Sequence, residues 1–217
     1  DTAAIKAIVV RSSSEKFFSA GADIKAFHVN DVSGNMELVQ FTHQTLDKMA
    51  ASQKVFIAAI NGHALGGGLE IALACDLRFA AEGSYKIGLP EVTLGLLPGA
   101  GGTQRLSRLI GPSRALELMI TGARISPDDA LRMGIVNRLF PYHKLPAETE
   151  AFARELTKGA TIAIGAIKQA VNRGTNLGLG AGLALERELM EMLFNTDDAQ
   201  EGVTAFNEKR LPLYSGS

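Results

Sequence analysis

The stretch Val55-Phe56-Ile57-Ala58-Ala59-Ile60-Asn61-Gly62-His63-Ala64-Leu65-Gly66-Gly67-Gly68-Leu69-Glu70-Ile71-Ala72-Leu73-Ala74 decides the fold. Its first six residues are apolar without polar alternation, the pattern of a strand covered on both faces. Three glycines then turn the chain into a helix of small residues. The first N–H groups of a helix have no intrahelical partner, and glycine lets a ligand oxygen come close to them. Glu70 falls in the first turn of that helix. Further on, Gly88-Leu89-Pro90-Glu91 brings a second carboxylate from a loop. An oxyanion donor beside two carboxyl groups suits proton transfer next to a polarised carbonyl. By spacing alone the plainer reading leads: glycines for a tight turn, Glu70 as a dipole partner, Glu91 as a solvated loop residue.

Around this stretch, Ala7-Ile8-Val9-Val10 reads as a strand buried on both faces. After a polar turn at Ser12–Lys16 come the small residues Ser19-Ala20-Gly21-Ala22, which permit close approach to the backbone. Met36 to Ala51 has roughly helical apolar spacing, and Leu77–Ala81 is a further apolar strand. Strand, helix and strand in that order imply parallel pairing through right-handed crossovers. The glycine cluster in Leu97–Leu106 lacks the lysine of a phosphate-binding loop, because Gln104 and Arg105 follow Thr103, so it reads as a structural turn. The second half is mostly helical. Ser126-Pro127-Asp128-Asp129 and Thr196-Asp197-Asp198 are helix starts, and Ile162–Val171 and Leu183–Phe194 are apolar or amphipathic. The transition near Phe140–Pro146 divides a core, residues 1–139, from a helical region, residues 140–217.

Composition narrows the function classes. The 217 residues fit one domain, or one core with an appendage, and 46% hydrophobic content supports a sizeable core. A net charge of −1 offers no general attraction for nucleic acid or an anionic bilayer. No apolar run reaches the roughly 18 residues of a membrane span. Cys75 is the single cysteine, so no intramolecular disulfide forms, and it reads as a small core residue. A reducing compartment is expected: the cytoplasm of a bacterium, or the mitochondrial matrix of a eukaryote. His63 has no second ligand or nucleophile to match it and reads as structural. His28, His43 and His143 are dispersed and read as structural or solvated. Lys168, Arg173, Arg187 and Arg210 read as exposed helix faces.

Taken together, several ordered motifs resemble the enoyl-CoA hydratase/isomerase (crotonase) family. They are Phe18-Ser19-Ala20-Gly21-Ala22-Asp23-Ile24-Lys25, Asn61 through Glu70, Pro90-Glu91, Pro98 through Leu106, and Ala205-Phe206-Asn207-Glu208-Lys209-Arg210. The resemblance runs from about Ala3 to Gly216. It implies an α/β fold: a spiral of ββα turns followed by a C-terminal helical trimerisation region. It implies an enoyl-CoA hydratase with a coenzyme A thioester as substrate and Glu70 and Glu91 as catalytic residues. The N–H groups of Ala22 and Gly67 would form an oxyanion hole. Ala20, Ala22, Asp23, Ile24, Lys25 and Gly67 would bind substrate, with Lys25 near a phosphate and Lys209 near CoA from a neighbouring subunit. Glu70 would chiefly handle water and Glu91 the α-carbon. No cofactor or metal is called for, since CoA is part of the substrate. The expected assembly is a homotrimer or a hexamer, with no nucleic acid and no membrane partner. An isomerase, or a catalytically weak acyl-CoA-binding paralogue, is the alternative.

Two departures from the family pattern bear on these expectations. The family's opening β-hairpin and first helix have no counterpart ahead of Ala7–Val10, so either the chain is incomplete or this is a shortened member with an open sheet edge. The interval from Glu70 to Glu91 is one residue longer than in well-known relatives, and Gly83-Ser84 is where a turn or bulge would absorb it.

Overall fold

The computed structural model describes residues 5–217, so the start of the resemblance at Ala3 lies outside the described residues. Two compact units emerge. The larger comprises Val9–Ala50 and Phe56–Glu150; the smaller contains Ala151–Ser217 with short pieces at Ala51–Val55 and ahead of Val9.

The larger unit is a winding of strands between two sheets. The chain runs β1 (Ala7–Arg11), β2 (Phe17–Ser19), α1 (Ile24–Val29), α2 (Val32–Ala51), β3 (Val55–Ile60), β4 (His63–Leu65) and α3 (Gly67–Ala74). It continues through β5 (Leu77–Ala81), β6 (Ile87–Gly88), a 3-10 turn at Glu91–Leu94, α4 (Gly102–Ile110), α5 (Pro112–Thr121), β7 (Arg124–Ile125), α6 (Pro127–Arg132) and β8 (Arg138–Phe140). One sheet has the order β1-β3-β5-β8 and the other β2-β4-β6-β7. Each ββα turn therefore gives one strand to each sheet, the spiral that the resemblance implies. Pairing is parallel for β3/β5, β5/β8, β2/β4 and β4/β6; β7 runs antiparallel to β6.

Burial follows strand position. Ile57, Ala58, Ala59 and Ile60 of β3 and Phe79, Ala80 and Ala81 of β5 are buried, as expected of central strands with apolar runs. β1 corrects the sequence reading: Ala7–Val10 are only half-buried, because β1 is an edge of its sheet. Gly83 and Ser84 form a bend between β5 and β6. α3 is apolar nearly all round and buries Leu69, Glu70, Ala72, Leu73 and Ala74. Its C-terminal end meets the buried guanidinium of Arg78, which donates to Cys75 O at 2.7 Å, Ala72 O at 3.3 Å and Ile135 O at 2.7 Å. Cys75 O, at the end of α3, gains a donor that the helix itself cannot supply, whereas Ala72 O also accepts from Cys75 N at 3.2 Å.

The smaller unit is helical: the end of α7 (Leu145–Lys158), α8 (Thr161–Gly174), α9 (Leu179–Phe194) and α10 (Asp197–Glu208). Thr196 caps α10 by accepting from Ala199 N at 3.2 Å. Lys168, an exposed helix face by its sequence, is instead buried, and its ammonium is satisfied there by donating to Lys54 O at 2.7 Å. Among the described residues no helix is long and apolar enough to cross a membrane.

Candidate active site

Parallel pairing of β2 with β4 puts their C-terminal ends side by side, and with them the two loops that follow. Gly21 has φ 93° and Gly66 φ 56°, left-handed conformations that a side chain would disfavour. The approach is also too close for a side chain on Gly21. A Cβ on Gly21 would lie 2.9 Å from Gly67 N, and one on Gly67 would lie 3.5 Å from Ala22 N. The amides of Ala22 and Gly67 are thus neighbours. Gly67 is the first residue of α3, where the helix leaves N–H groups free and carries its positive dipole end.

Glu70 sits one turn into α3 and is 3% exposed. Its Oε1 accepts two backbone hydrogen bonds, from Ala100 N and Gly102 N, both at 2.7 Å. Burial pushes the carboxyl above its ordinary value, while those two amides, Arg105 and His43 pull the other way. Glu91 opens the 3-10 turn after Pro90. The bond from Gly66 N to Gly88 O at 2.9 Å draws the end of β4 against β6, which leads into that turn. Glu91 Oε1 consequently lies 3.0 Å from where a Cβ on Gly66 would be. Its Oε2 is buried with no hydrogen-bond partner among the described residues. Burial raises the Glu91 carboxyl too, and the charge of Glu70 adds to that rise. Glu91 is half-buried, unlike the solvated loop residue of the plainer sequence reading.

The remaining predicted residues fall in two places. Ala20, Ala22, Asp23, Ile24 and Lys25 are exposed along the β2–α1 loop and the start of α1, where Asp23 Oδ1 accepts from Lys25 N at 2.9 Å. Lys209 belongs to the smaller unit, exposed at the end of α10 with φ 56°. His63 is structural as expected: its Nδ1 accepts from Lys86 N at 3.1 Å, and its ring stands 5.4 Å from that of Phe17. A cavity of about 430 Å³ between β1, β3 and the start of α7 involves none of the predicted site residues.

Sequence reasoning missed the loop that holds Glu70. The glycine cluster before α4 is a turn, but its amides at Ala100 and Gly102 carry the carboxylate. The available signal was glycine at a helix start, the same one that drew attention to Gly67. Arg105 falls inside the Pro98–Leu106 motif, but neither it nor His43, read only as a dispersed histidine, is tied to this loop by spacing or composition.

The whole chain, residues 1–217, matches the enoyl-CoA hydratase/isomerase family model. A short-chain-enoyl-CoA hydratase of Clostridium acetobutylicum is 39% identical over 95% of this chain and 78% of its own length. An enoyl-CoA isomerase/hydratase of Mycosarcoma maydis is 40% identical over 92% of this chain and 73% of its own. Among solved structures, an enoyl-CoA hydratase of Geobacillus kaustophilus superposes with TM-score 0.96 at 49% identity, covering 98% of this chain and 81% of that one. The chain belongs to the enoyl-CoA hydratase/isomerase family and has the crotonase fold.

Proposed function

We propose that the protein is an enoyl-CoA hydratase, adding water to trans-2-enoyl-CoA to give 3-hydroxyacyl-CoA. The observation that carries this reading is the unequal pair of carboxyl groups. Glu70 is held on one oxygen by two amides, an arrangement that supports an anion able to take a proton from water. Glu91 keeps an unpartnered buried oxygen beside that anion, which favours its protonated form as donor. In the proposed step the water oxygen bonds to the β-carbon and its proton passes to Glu70. Charge gathers on the thioester oxygen between the N–H groups of Ala22 and Gly67, and the α-carbon takes the proton of Glu91. The pair ends with the single proton it began with, now on the other member, and titrates as one coupled unit.

Stabilisation of the enolate by two preorganised donors accounts for much of such catalysis, with one donor worth roughly 100- to 1,000-fold. No cofactor enters this scheme, since CoA is part of the substrate. The proposed partners are the acyl-CoA thioester and further copies of the chain in a trimer or hexamer.

Glu70→Gln and Glu91→Gln should each lower hydration by about 100- to 10,000-fold while CoA binding persists. The assay follows loss of the conjugated enoyl absorbance, a mass gain of one water, and solvent deuterium at the α-carbon. Double-bond movement without added water would make the protein an isomerase. Tight CoA binding with neither reaction would make it an acyl-CoA-binding paralogue. Near-wild-type turnover in either variant would remove the paired role.

A further inference from the structure

We infer that His43 is a positioning residue for Glu70, acting through the single peptide group that joins Gly99 to Ala100. His43 Nε2 lies 2.6 Å from Gly99 O, and a carbonyl oxygen can only accept, so Nε2 carries the proton and donates. The N–H on the other side of that peptide, Ala100 N, donates to Glu70 Oε1 at 2.7 Å. A trans peptide is planar, with its C=O and N–H pointing in opposite directions. Fixing the carbonyl therefore aims the amide, and hydrogen bonds in such a chain polarise one another.

The next carbonyl is fixed from a second side. Arg105 Nη1 donates to Ala100 O at 2.9 Å, and its Nη2 reaches Asp47 Oδ1 at 3.1 Å. Asp47 stands one turn along α2 from His43, so one face of α2 supports two successive carbonyls of the loop. Leu46 of α2 packs with Ala100 and with Ala74 of α3, which seats the loop between the two helices. The charged or titratable groups acting on Glu70 are Glu91 from the 3-10 turn, Arg105 from α4 and His43 from α2. The hydrogen bond from Ala100 N pulls the Glu70 carboxyl down, so a loss of the His43 donor that leaves this amide less well aimed should let Glu70 titrate higher.

The catalytic consequence rests on the reading of Glu70 as the group that takes the proton of water. His43→Leu should lower kcat by about 2- to 10-fold, the worth of one hydrogen bond, with KM little changed. Its acid limb should move to higher pH by up to about one unit. His43→Gln, whose amide nitrogen reaches about as far as Nε2, should restore most of both. His43→Asn, whose amide nitrogen falls short, should resemble His43→Leu.

A second readout needs no turnover: pH-dependent infrared difference spectra of the carboxylic acid band that disappears in Glu70→Gln. Its midpoint should rise in the Leu and Asn variants and return in the Gln variant. A midpoint equal in the Gln and Asn variants, or unmoved in His43→Leu, overturns the inference whatever the activity. A midpoint that moves as expected in an enzyme that hydrates nothing keeps the positioning role and removes only the hydratase reading.

Discussion

Gly102 has room for a hydrogen and nothing larger, since a Cβ there would stand 2.8 Å from Pro98 Cβ, 2.9 Å from Glu70 Oε1 and 2.9 Å from Leu89 Cδ1. Pro98 Cβ is fixed by its ring, so the strain falls on the ends of the Glu70 and Leu89 side chains and disturbs the carboxylate. Gly102→Ala should leave the chain folded at a cost of about 1–3 kcal/mol and reduce kcat by roughly 100-fold, the usual penalty of misplacing a reacting group by about an ångström. Steady-state kinetics beside a denaturation curve would separate the two effects. The carboxyl groups themselves bear on stability. Both lie above the ordinary value of 4.5, chiefly through burial, so the native state binds their protons more tightly than the unfolded chain does. Their contribution is fully present below about pH 4.5 and is lost as pH rises through their native values. Glu70→Gln keeps an oxygen for Ala100 N and Gly102 N but has no charge to desolvate. It should raise Tm at pH 7–8, and the gain should vanish toward pH 4; a gain that grows on acidification would contradict this sign.

At the scale of elements, α3 is held from both ends. Its N-terminal end faces the Gly21–Ala22 loop, and its C-terminal end rests on Arg78, whose single fork serves carbonyls at Ala72, Cys75 and Ile135. Arg78→Met would take the guanidinium donors from Cys75 O and Ile135 O, at about 1–3 kcal/mol for each acceptor left without a donor, while Ala72 O keeps Cys75 N; it should destabilise the protein far more than an exposed Arg change. Arg78→Lys, a point charge without the fork, should fall between the two in chemical denaturation. Arg78 shows why the sequence told only part of the story. The strand Val55–Ile60, the glycine turn and the place of Glu70 follow from patterns among neighbouring residues, and those are legible. The short strands β2, β4, β6, β7 and β8 have two or three residues each, too few for periodicity to register. The partners of Glu70 lie thirty or more positions away at Ala100 and Gly102, and only packing brings them together. Half-burial of β1 likewise depends on its place at a sheet edge, which its apolar run does not encode.

For the whole molecule, the smaller unit exposes more apolar surface than a single chain gains from exposing. Phe194 is 68% exposed, Phe206 83%, Leu211 87% and Leu213 83%, and Val203 shares the face of α10 that carries Phe206. Exposed apolar side chains that share a face, as Val203 and Phe206 do, suit an association surface, and cyclic assembly covers the same face on every copy. The proposed trimer therefore predicts that sedimentation or light scattering at micromolar concentration finds no stable monomer. Phe206→Asp should weaken the assembly by at least tenfold, because it places a charge where an apolar ring would be buried. Lys209 is where the proposed assembly would meet the proposed function. It stands between Phe206 and Leu211 in a left-handed conformation, exposed and close to residues that association would cover. If Lys209 meets the phosphates of a CoA bound to a neighbouring copy, Lys209→Gln should raise KM for enoyl-CoA by about tenfold. KM for the corresponding pantetheine thioester, which lacks those phosphates, should be unchanged. Phe206→Asp should raise the KM for enoyl-CoA in the same way, and combining it with Lys209→Gln should add little further, since one contact cannot be lost twice. Equal KM changes for both thioesters in Lys209→Gln would remove Lys209 from the CoA site and leave it as a helix-end residue.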